Sequence, residues 1–239
     1  ALVTVNTNYR YREDELHYLW DNADAAAVVF DGEFTALVDA LRRRCPKVKV
    51  WLHVGHGRHA CPPWAVSYDD TAVTVTPRVQ PPWGRSGDDP IFIYTGGTTG
   101  LPKGVIWRQH DLYLASNVTS DPPAADPAFV RGRLQATAHA PVGLPAPPLM
   151  HGTGFVFAAT VLNRGGRVVT LPDQRFDATR LLDAIVADRV TDLCIVGDAF
   201  CRPLVDVLDA EPGRYDLAAL RVVSSSGMMW SQDTKARLL

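Results

Sequence analysis

Apolar residues along this chain repeat at two spacings, and the two alternate. In "REDELHYLWDNADA" Leu16, Leu19 and Trp20 fall on one helical face, and acidic residues crowd the first turn, where they suit the helix dipole. "AAVVF" (26–30) predicts a short buried strand. Phe34, Leu37, Val38 and Leu41 then give a second helix its apolar stripe, and "VKVWLHV" (48–54) predicts another strand. Strand, helix and strand in this rhythm predict parallel pairing.

Residues 55–90 interrupt the rhythm with Gly, Pro and Asp and read as a long connection carrying one short strand near "AVTVT" (72–76). The alternation then resumes. "IFIYT" (91–95) predicts a strand, "DLYLASNV" (111–118) a helix and "DPPAADPAF" (121–129) a loop. "GTGFVFAATVLNRGG" (152–166) predicts an apolar helix closed by glycine, and "RVVTL" a strand. Asp177 suits the N-cap of a helix burying Leu181, Leu182, Ile185 and Val186. "TDLCIV" predicts a strand, "DAFCRPLVDVLDA" a helix interrupted by Pro203, "LRVVSSSG" (220–227) a strand, and "SQDTKARLL" a helix capped by Ser231. The fold class expected is α/β, with layered, parallel-rich sheets and flanking helices.

Composition narrows the function classes. The 239 residues are 46% hydrophobic and 21% charged with a net charge of −2, so no general basic excess argues for nucleic acid. An anionic ligand must be held locally. No apolar run approaches the roughly 20 residues that cross a bilayer, and the start carries no signal-peptide pattern, which points to the cytoplasm. Cys45, Cys61, Cys194 and Cys201 are irregularly spaced, as expected of reduced thiols. Asn117-Val118-Thr119 matches a glycosylation sequon and reads as chance.

Local chemistry concentrates in "YTGGTTGLPKGV" (94–105), directly after the strand 91–95. Ligand sites in open α/β sheets lie beyond the carboxyl ends of strands. Gly96, Gly97, Gly100 and Gly104 let backbone N–H groups turn to one point. Thr95, Thr98 and Thr99 add hydroxyls, and Lys103 adds a cation held near the loop by Pro102. Such a set is an anion cradle suited to phosphate. The Walker pattern G-x-x-x-x-G-K-[ST] fails, because Leu101 and Pro102 stand where glycine and lysine are required.

"YTGGTTGLPKGV" resembles the phosphate-loop signature of the adenylate-forming enzymes, the superfamily of acyl-CoA synthetases, luciferases and peptide-synthetase adenylation domains. Gly96 departs from it where serine is common. "PPLMHGTGF" (147–155) looks like the family's P-L-x-H-x-x-G segment, and "LAALRVVSSSGMMWS" (217–231) like its adenine strand. The stretch "GGRVVTLPDQRFDATRLLDAIVADRVTDLCIV" is also similar. Within the family the wording looks most like actinobacterial fatty-acyl or steroid-acid CoA ligases.

The resemblance implies the large N-terminal domain of an acyl-CoA synthetase-like fold: a βαβ segment over 1–54, a connection over 55–90, and a phosphate-loop and substrate/adenine subdomain over 91–239. It implies an ATP-dependent acid–CoA ligase using Mg2+, with coenzyme A as co-substrate and a fatty, steroid or other apolar acid as substrate. Association with a membrane surface and a homodimer are left open, as are two alternatives: a non-catalytic nucleotide-binding module and a peptide-synthetase-type domain. Thr95, Gly96, Gly97, Thr98, Thr99, Gly100 and Lys103 would hold the β- and γ-phosphates, and Ser225, Ser226, Gly227 and Met228 would pass the adenine. Thr98, Lys103 and His151 are the catalytic candidates; His151 stands either at the acyl pocket or simply at a hydrogen-bonded helix terminus. Phe155, Val156 and Phe157 nearby suggest an apolar substrate, or core.

The family's downstream magnesium, ribose and lysine motifs are absent from the sequence, so an internal fragment that binds nucleotide weakly and does not turn over is expected. No residue here is assigned to a metal. "HVGHGRHAC" (53–61) fits no zinc spacing and reads as a solvated loop. "RRR" (42–44) reads as an exposed helix end, and Trp51, Trp64, Trp83 and Trp107 as core or interface anchors.

Overall fold

The computed structural model describes residues 2–74, 82, 84–96, 101–116, 132, 135, 139–172 and 175–238. The chain divides into two compact units, Ala1–Ile106 and Trp107–Leu239.

In the first unit, α1 (Glu13–Asn22), β1 (Ala27–Asp31), a 3-10 turn (Gly32–Phe34), α2 (Thr35–Arg42) and β2 (Val50–Val54) follow the predicted order. Strands β1, β2 and β3 (Val66–Ser67) form a parallel sheet in that order. The apolar stripes meet on one side of it: Leu16, Leu19 and Trp20 of α1 pack with Val38 and Leu41 of α2 and with Val28, Phe30 and Trp51 of the sheet. The Trp20 and Trp51 rings meet edge-on at 5.7 Å. Trp64 is half-buried, stacked on Phe30 at 5.6 Å with the Arg42 guanidinium 5.0 Å from its centre. Arg42 therefore covers an aromatic face, while Arg44 pairs with Asp14 at 3.1 Å.

The alternating Val and Thr near 72–76 predict a strand, but residues 72–74 belong to helix α3 (Tyr68–Thr74). The reason is a local cap: Ser67 Oγ accepts from the Asp70 amide at 3.2 Å, and Thr71 Oγ1 donates to the Ser67 carbonyl at 2.6 Å. Residues 75 and 76 lie outside the described residues. Strand β4 (Pro90–Thr95) pairs with β5 (Lys103–Arg108), which carries the chain out of the first unit. Near the start of the described residues Val5 makes an isolated parallel bridge to Phe92.

The second unit is built on four parallel strands in the order β7 (Arg167–Val168), β6 (Val142–Pro145), β8 (Asp192–Ile195) and β9 (Val222–Ser225). Helix α4 (Gln109–Ser116) precedes them, and α5 (Gly152–Asn163), α6 (Ala178–Asp188) and α7 (Gly197–Ala210) supply the crossovers. Both faces of the sheet are covered, as parallel sheets require. Leu144, Leu193 and Ile195 pack on one side with Leu181, Leu182 and Ile185 of α6 and with Leu204 and Val205 of α7. On the other side α5 lies so close that a Cβ on Gly143 would stand 2.4 Å from Val161 Cγ2.

Asp177 caps α6 as predicted, accepting from the Arg180 amide at 3.1 Å, and Gly165 follows α5 at φ +74°. Pro203 does not interrupt its helix, which runs unbroken from Gly197 to Ala210. An internal proline costs about 3 kcal/mol, and burial of Cys201, Leu204 and Val205 around it offsets that. The chain ends in α8 (Gln232–Leu238), capped by Ser231 Oγ at 3.4 Å from the Thr234 amide. The helix expected over 111–118 is described to Ser116; the loop 121–129 and the sequon lie outside the described residues, as does Trp83. Among the described residues no helix is long and apolar enough to cross a membrane.

Candidate functional site

Each unit contributes candidate residues. In the first, Thr95 ends β4, Gly96 follows it, and Lys103 opens β5 with an exposed side chain. Pairing of the two strands brings the ends of the glycine loop side by side. Two contacts hold this arrangement: the Tyr94 hydroxyl donates to Asn22 Oδ1 at 2.7 Å, and the same ring lies under Gly104, where a Cβ would stand 2.9 Å from Tyr94 Cζ. A side chain at 104 would therefore have to displace the outer end of the Tyr94 ring. Gly97, Thr98, Thr99 and Gly100 lie outside the described residues.

In the second unit the register aligns the carboxyl ends of three strands. Pro145 pairs with Cys194, and Ile195 with Ser225, so segments 146–151, 196–198 and 226–231 all leave the same sheet edge. His151 occupies the N-cap of α5 with extended backbone, its amide donating to the Pro148 carbonyl at 3.0 Å and its carbonyl accepting from Phe155 at 2.9 Å. Its side chain is exposed and does not cap the helix. The next helical turn meets the adenine-like segment directly: Thr153 Oγ1 and Ser226 Oγ are 2.9 Å apart.

Between them lies a cavity of about 390 Å³ bounded by Thr153, Val156, Phe157, Cys194, Ser224 and Ser226. Its α5 wall is apolar at Val156 and Phe157, and burial pushes the Cys194 thiol above its ordinary range, with a hydrogen bond from Ser224 pulling the other way. Ser225 also lines it, and its Oγ accepts from the Gly197 amide at 2.8 Å. Gly227 takes φ +89°, a conformation that favours glycine. Met228 is 62% exposed and Met229 84%. The structure thus gathers the 151–157 and 224–227 segments at one edge.

Thr153, Cys194 and Ser224 border the cavity without having stood out in the sequence. Asp198 is the other residue that sequence reasoning missed. It follows the left-handed Gly197 in the first turn of α7 and receives three hydrogen bonds on one oxygen. The signal available was an acidic residue three positions after the end of a buried strand, in the first turn of the helix that follows.

The histidine-rich stretch is not wholly a solvated loop. His53 sits on β2 at 1% exposure, edge-on to Phe30 at 5.5 Å, because β2 turns it into the same face as Trp51. His56, by contrast, is exposed and meets Asp31 at 2.9 Å. The pair, with the Glu33 amide, outweighs desolvation and holds the Asp31 carboxyl below its usual range. Among the described residues no group of three or more His, Cys, Asp or Glu side chains could hold a metal ion. A second cavity, of about 140 Å³, lies in the first unit beside Asn8, Tyr11, Trp20 and Asp31, and Thr95, Gly96 and Lys103 do not line it.

The chain belongs to the AMP-binding enzyme family, whose model matches residues 1–239. The medium-chain acyl-CoA ligase Mig of Mycobacterium avium is 32% identical over 98% of this chain and 43% of its own length. A medium/long-chain-fatty-acid and 3-oxocholest-4-en-26-oate CoA ligase of Mycolicibacterium smegmatis is 33% identical over 99% of this chain and 44% of its own length. The chain therefore spans less than half of each of these relatives. In fold it is similar to the inhibitor-bound N-terminal domain of FACL13 from Mycobacterium tuberculosis, at TM-score 0.74 and 19% identity, covering 99% of this chain and 53% of that one.

Proposed function

We propose that the chain forms the phosphate, adenine and acyl-binding part of an AMP-forming acid–CoA ligase that acts on an apolar carboxylic acid. In the first step the substrate carboxylate, already ionised at neutral pH, attacks the α-phosphorus of ATP and pyrophosphate leaves. In the second the thiol of coenzyme A attacks the acyl carbon and AMP leaves, giving the thioester. Neither step asks this chain for a general base on the acid; both ask for alignment and for stabilisation of phosphate charge.

One observation carries the reading: the Thr153–Ser226 hydrogen bond joins the His151 helix to the 224–227 segment around a cavity of about 390 Å³ at the carboxyl edge of a parallel sheet. That volume falls within the range of small-molecule sites, and Val156 and Phe157 suit an acyl group, as do the fatty- and steroid-acid substrates named for the relatives. Gly227 leaves the backbone bare where the adenine would pass. His151, at the cavity end of α5, is placed beside the carboxylate in this reading. Thr95 through Gly100 and Lys103 grip the triphosphate tail. Magnesium would supply further neutralisation of phosphate charge; the described residues offer it no ligand cluster, and none is assigned to it.

The test separates tail from base. Calorimetric titration with ATP and with AMP is expected to show Lys103→Ala weakening ATP about 10- to 100-fold, the effect of one charge-assisted contact, while AMP affinity stays constant. Equal ATP affinity in wild type and variant refutes the assignment of Lys103.

A further inference from the structure

The residues assigned above to the adenine would be useless if their loop wandered, and the structure shows what holds that loop. The segment 225–231 leaves β9 and enters α8, and it is gripped at both ends by two consecutive residues of α7. At its start, the Gly197 amide donates to Ser225 Oγ at 2.8 Å. In its middle, the Asp198 amide donates to the Met229 carbonyl at 3.1 Å. At its end, Asp198 Oδ1 accepts from the Ser231 amide at 3.0 Å, from Ser231 Oγ at 3.1 Å and from Thr234 Oγ1 at 2.7 Å. Oδ2 faces Arg202 at 3.4 Å.

The fit leaves no slack. Gly197 sits at φ +53°, and a Cβ there would stand 2.2 Å from the Met229 carbonyl oxygen, so the two backbones touch. Thr234, which orients its hydroxyl toward Asp198, is 0% exposed. Between the gripped positions the chain arches out through Gly227 and the exposed Met228. Ser226, at the foot of this arch, also meets Thr153 of α5 at 2.9 Å, so α7 holds the segment at Ser225, Met229 and Ser231 while Gly227 and Met228 are presented.

Building on the functional reading above, we infer that Asp198 is a positioning residue for the nucleotide site, anchoring Ser231 and Met229 so that Ser225–Met228 are held in one shape before any ligand arrives. It touches no substrate. Two of the three charge-assisted bonds on its Oδ1 come from Ser231 and the third from Thr234 in the helix that follows, and their loss would leave the ordering of the loop to be supplied at the moment of binding.

A second tie between the same helices provides the control. Arg237 joins α8 to Asp206 and Asp209 of α7 at 2.8 and 2.6 Å, and its described hydrogen bonds and ion pairs go to these two carboxylates. Amide hydrogen exchange over 225–231 is compared in wild type, Asp198→Ala, Asp198→Asn and Arg237→Ala, with the thermal midpoint of each. Asp198→Ala is expected to speed exchange in that segment about 10- to 100-fold and to weaken AMP, whereas Arg237→Ala leaves both near wild type even where its thermal midpoint falls. Asp198→Asn keeps an acceptor without its charge, and a smaller rise of about 3- to 10-fold is expected; it decides the matter alone if the alanine variant does not fold. Unchanged exchange in the Asp198 variants, equal release by Arg237→Ala, or a released segment with unaltered AMP affinity overturns the inference. Failure of the wild-type chain to bind AMP at all would instead strike the functional reading, and the exchange data would still show whether Asp198 holds the segment.

Discussion

Replacing Gly154 by alanine sets two well-known effects against each other at the start of α5. Glycine within a helix is worse than alanine by up to about 1 kcal/mol, so propensity alone predicts a more stable protein. Gly154, however, is buried where the helix begins against the preceding turn. A Cβ there would stand 2.6 Å from the Pro147 carbonyl oxygen and 2.7 Å from that of Pro148. Carbon–oxygen contacts settle near 3.3 Å, so either the helix start or the turn must retreat by roughly 0.6–0.7 Å. Both obstacles are backbone, and the Pro148 carbonyl also accepts from the His151 amide at 3.0 Å. Overpacking costs about 1–3 kcal/mol, and contacts this short against backbone belong in its upper part, about 2–3 kcal/mol, which leaves a net loss of about 1–2 kcal/mol after a propensity gain of up to about 1 kcal/mol. In urea unfolding followed by circular dichroism, that corresponds to a midpoint lower by roughly 0.5 M. A Gly154→Ala protein as stable as wild type, or more so, would show that the turn yields freely and that 147–148 does not fix the position of His151.

Two further outcomes follow from the electrostatics and the cysteines. The hydrogen bonds from Thr234 and Ser231 lower the Asp198 carboxyl to about 2, below its unfolded value of about 3.9. Its contribution to stability is therefore full above about pH 4 and disappears as the pH falls toward 2. Thermal midpoints of wild type and Asp198→Asn should accordingly differ most above pH 4 and converge near pH 2; parallel curves would contradict the assignment. Of the four cysteines, Cys45, Cys194 and Cys201 are buried and Cys61 is exposed. A thiol reagent should titrate one group in the native protein and the others only on unfolding, and prompt reaction of a second thiol would count against the packing around that cysteine, Cys45 behind α2, Cys194 in β8 or Cys201 in α7.

Much of this architecture is legible in the sequence wherever one face of an element is buried. The stripes of α1, α2 and α6 mark their helices because Leu19, Leu41, Leu181 and Leu182 each occupy a core position. Elements that bury little left little trace. Strand β5, all exposed residues, hides behind the glycine loop, and β6 is four residues long with a glycine and a proline inside it. The Val/Thr alternation near 72–76 misleads because strand periodicity is read from side chains, whereas Ser67 acts on the backbone five residues earlier. The site follows the same division. Glycine, hydroxyl and lysine chemistry in 95–103 stands out from composition alone. Asp198 does not, since its worth lies in meeting Ser231 and Thr234, partners 33 and 36 residues away.

The strand order of the second unit has a bearing on how the protein is made. Strand β6 lies inside its sheet, yet one neighbour is β8, and the bond from the Val142 amide to Thr191 spans 49 residues. At about 5–20 residues per second, a ribosome needs roughly 2–10 s to deliver that neighbour after β6 has emerged. Throughout that interval a nascent chain displays Leu144 and one unsatisfied flank of β6, which leaves this stage of translation open to mispairing.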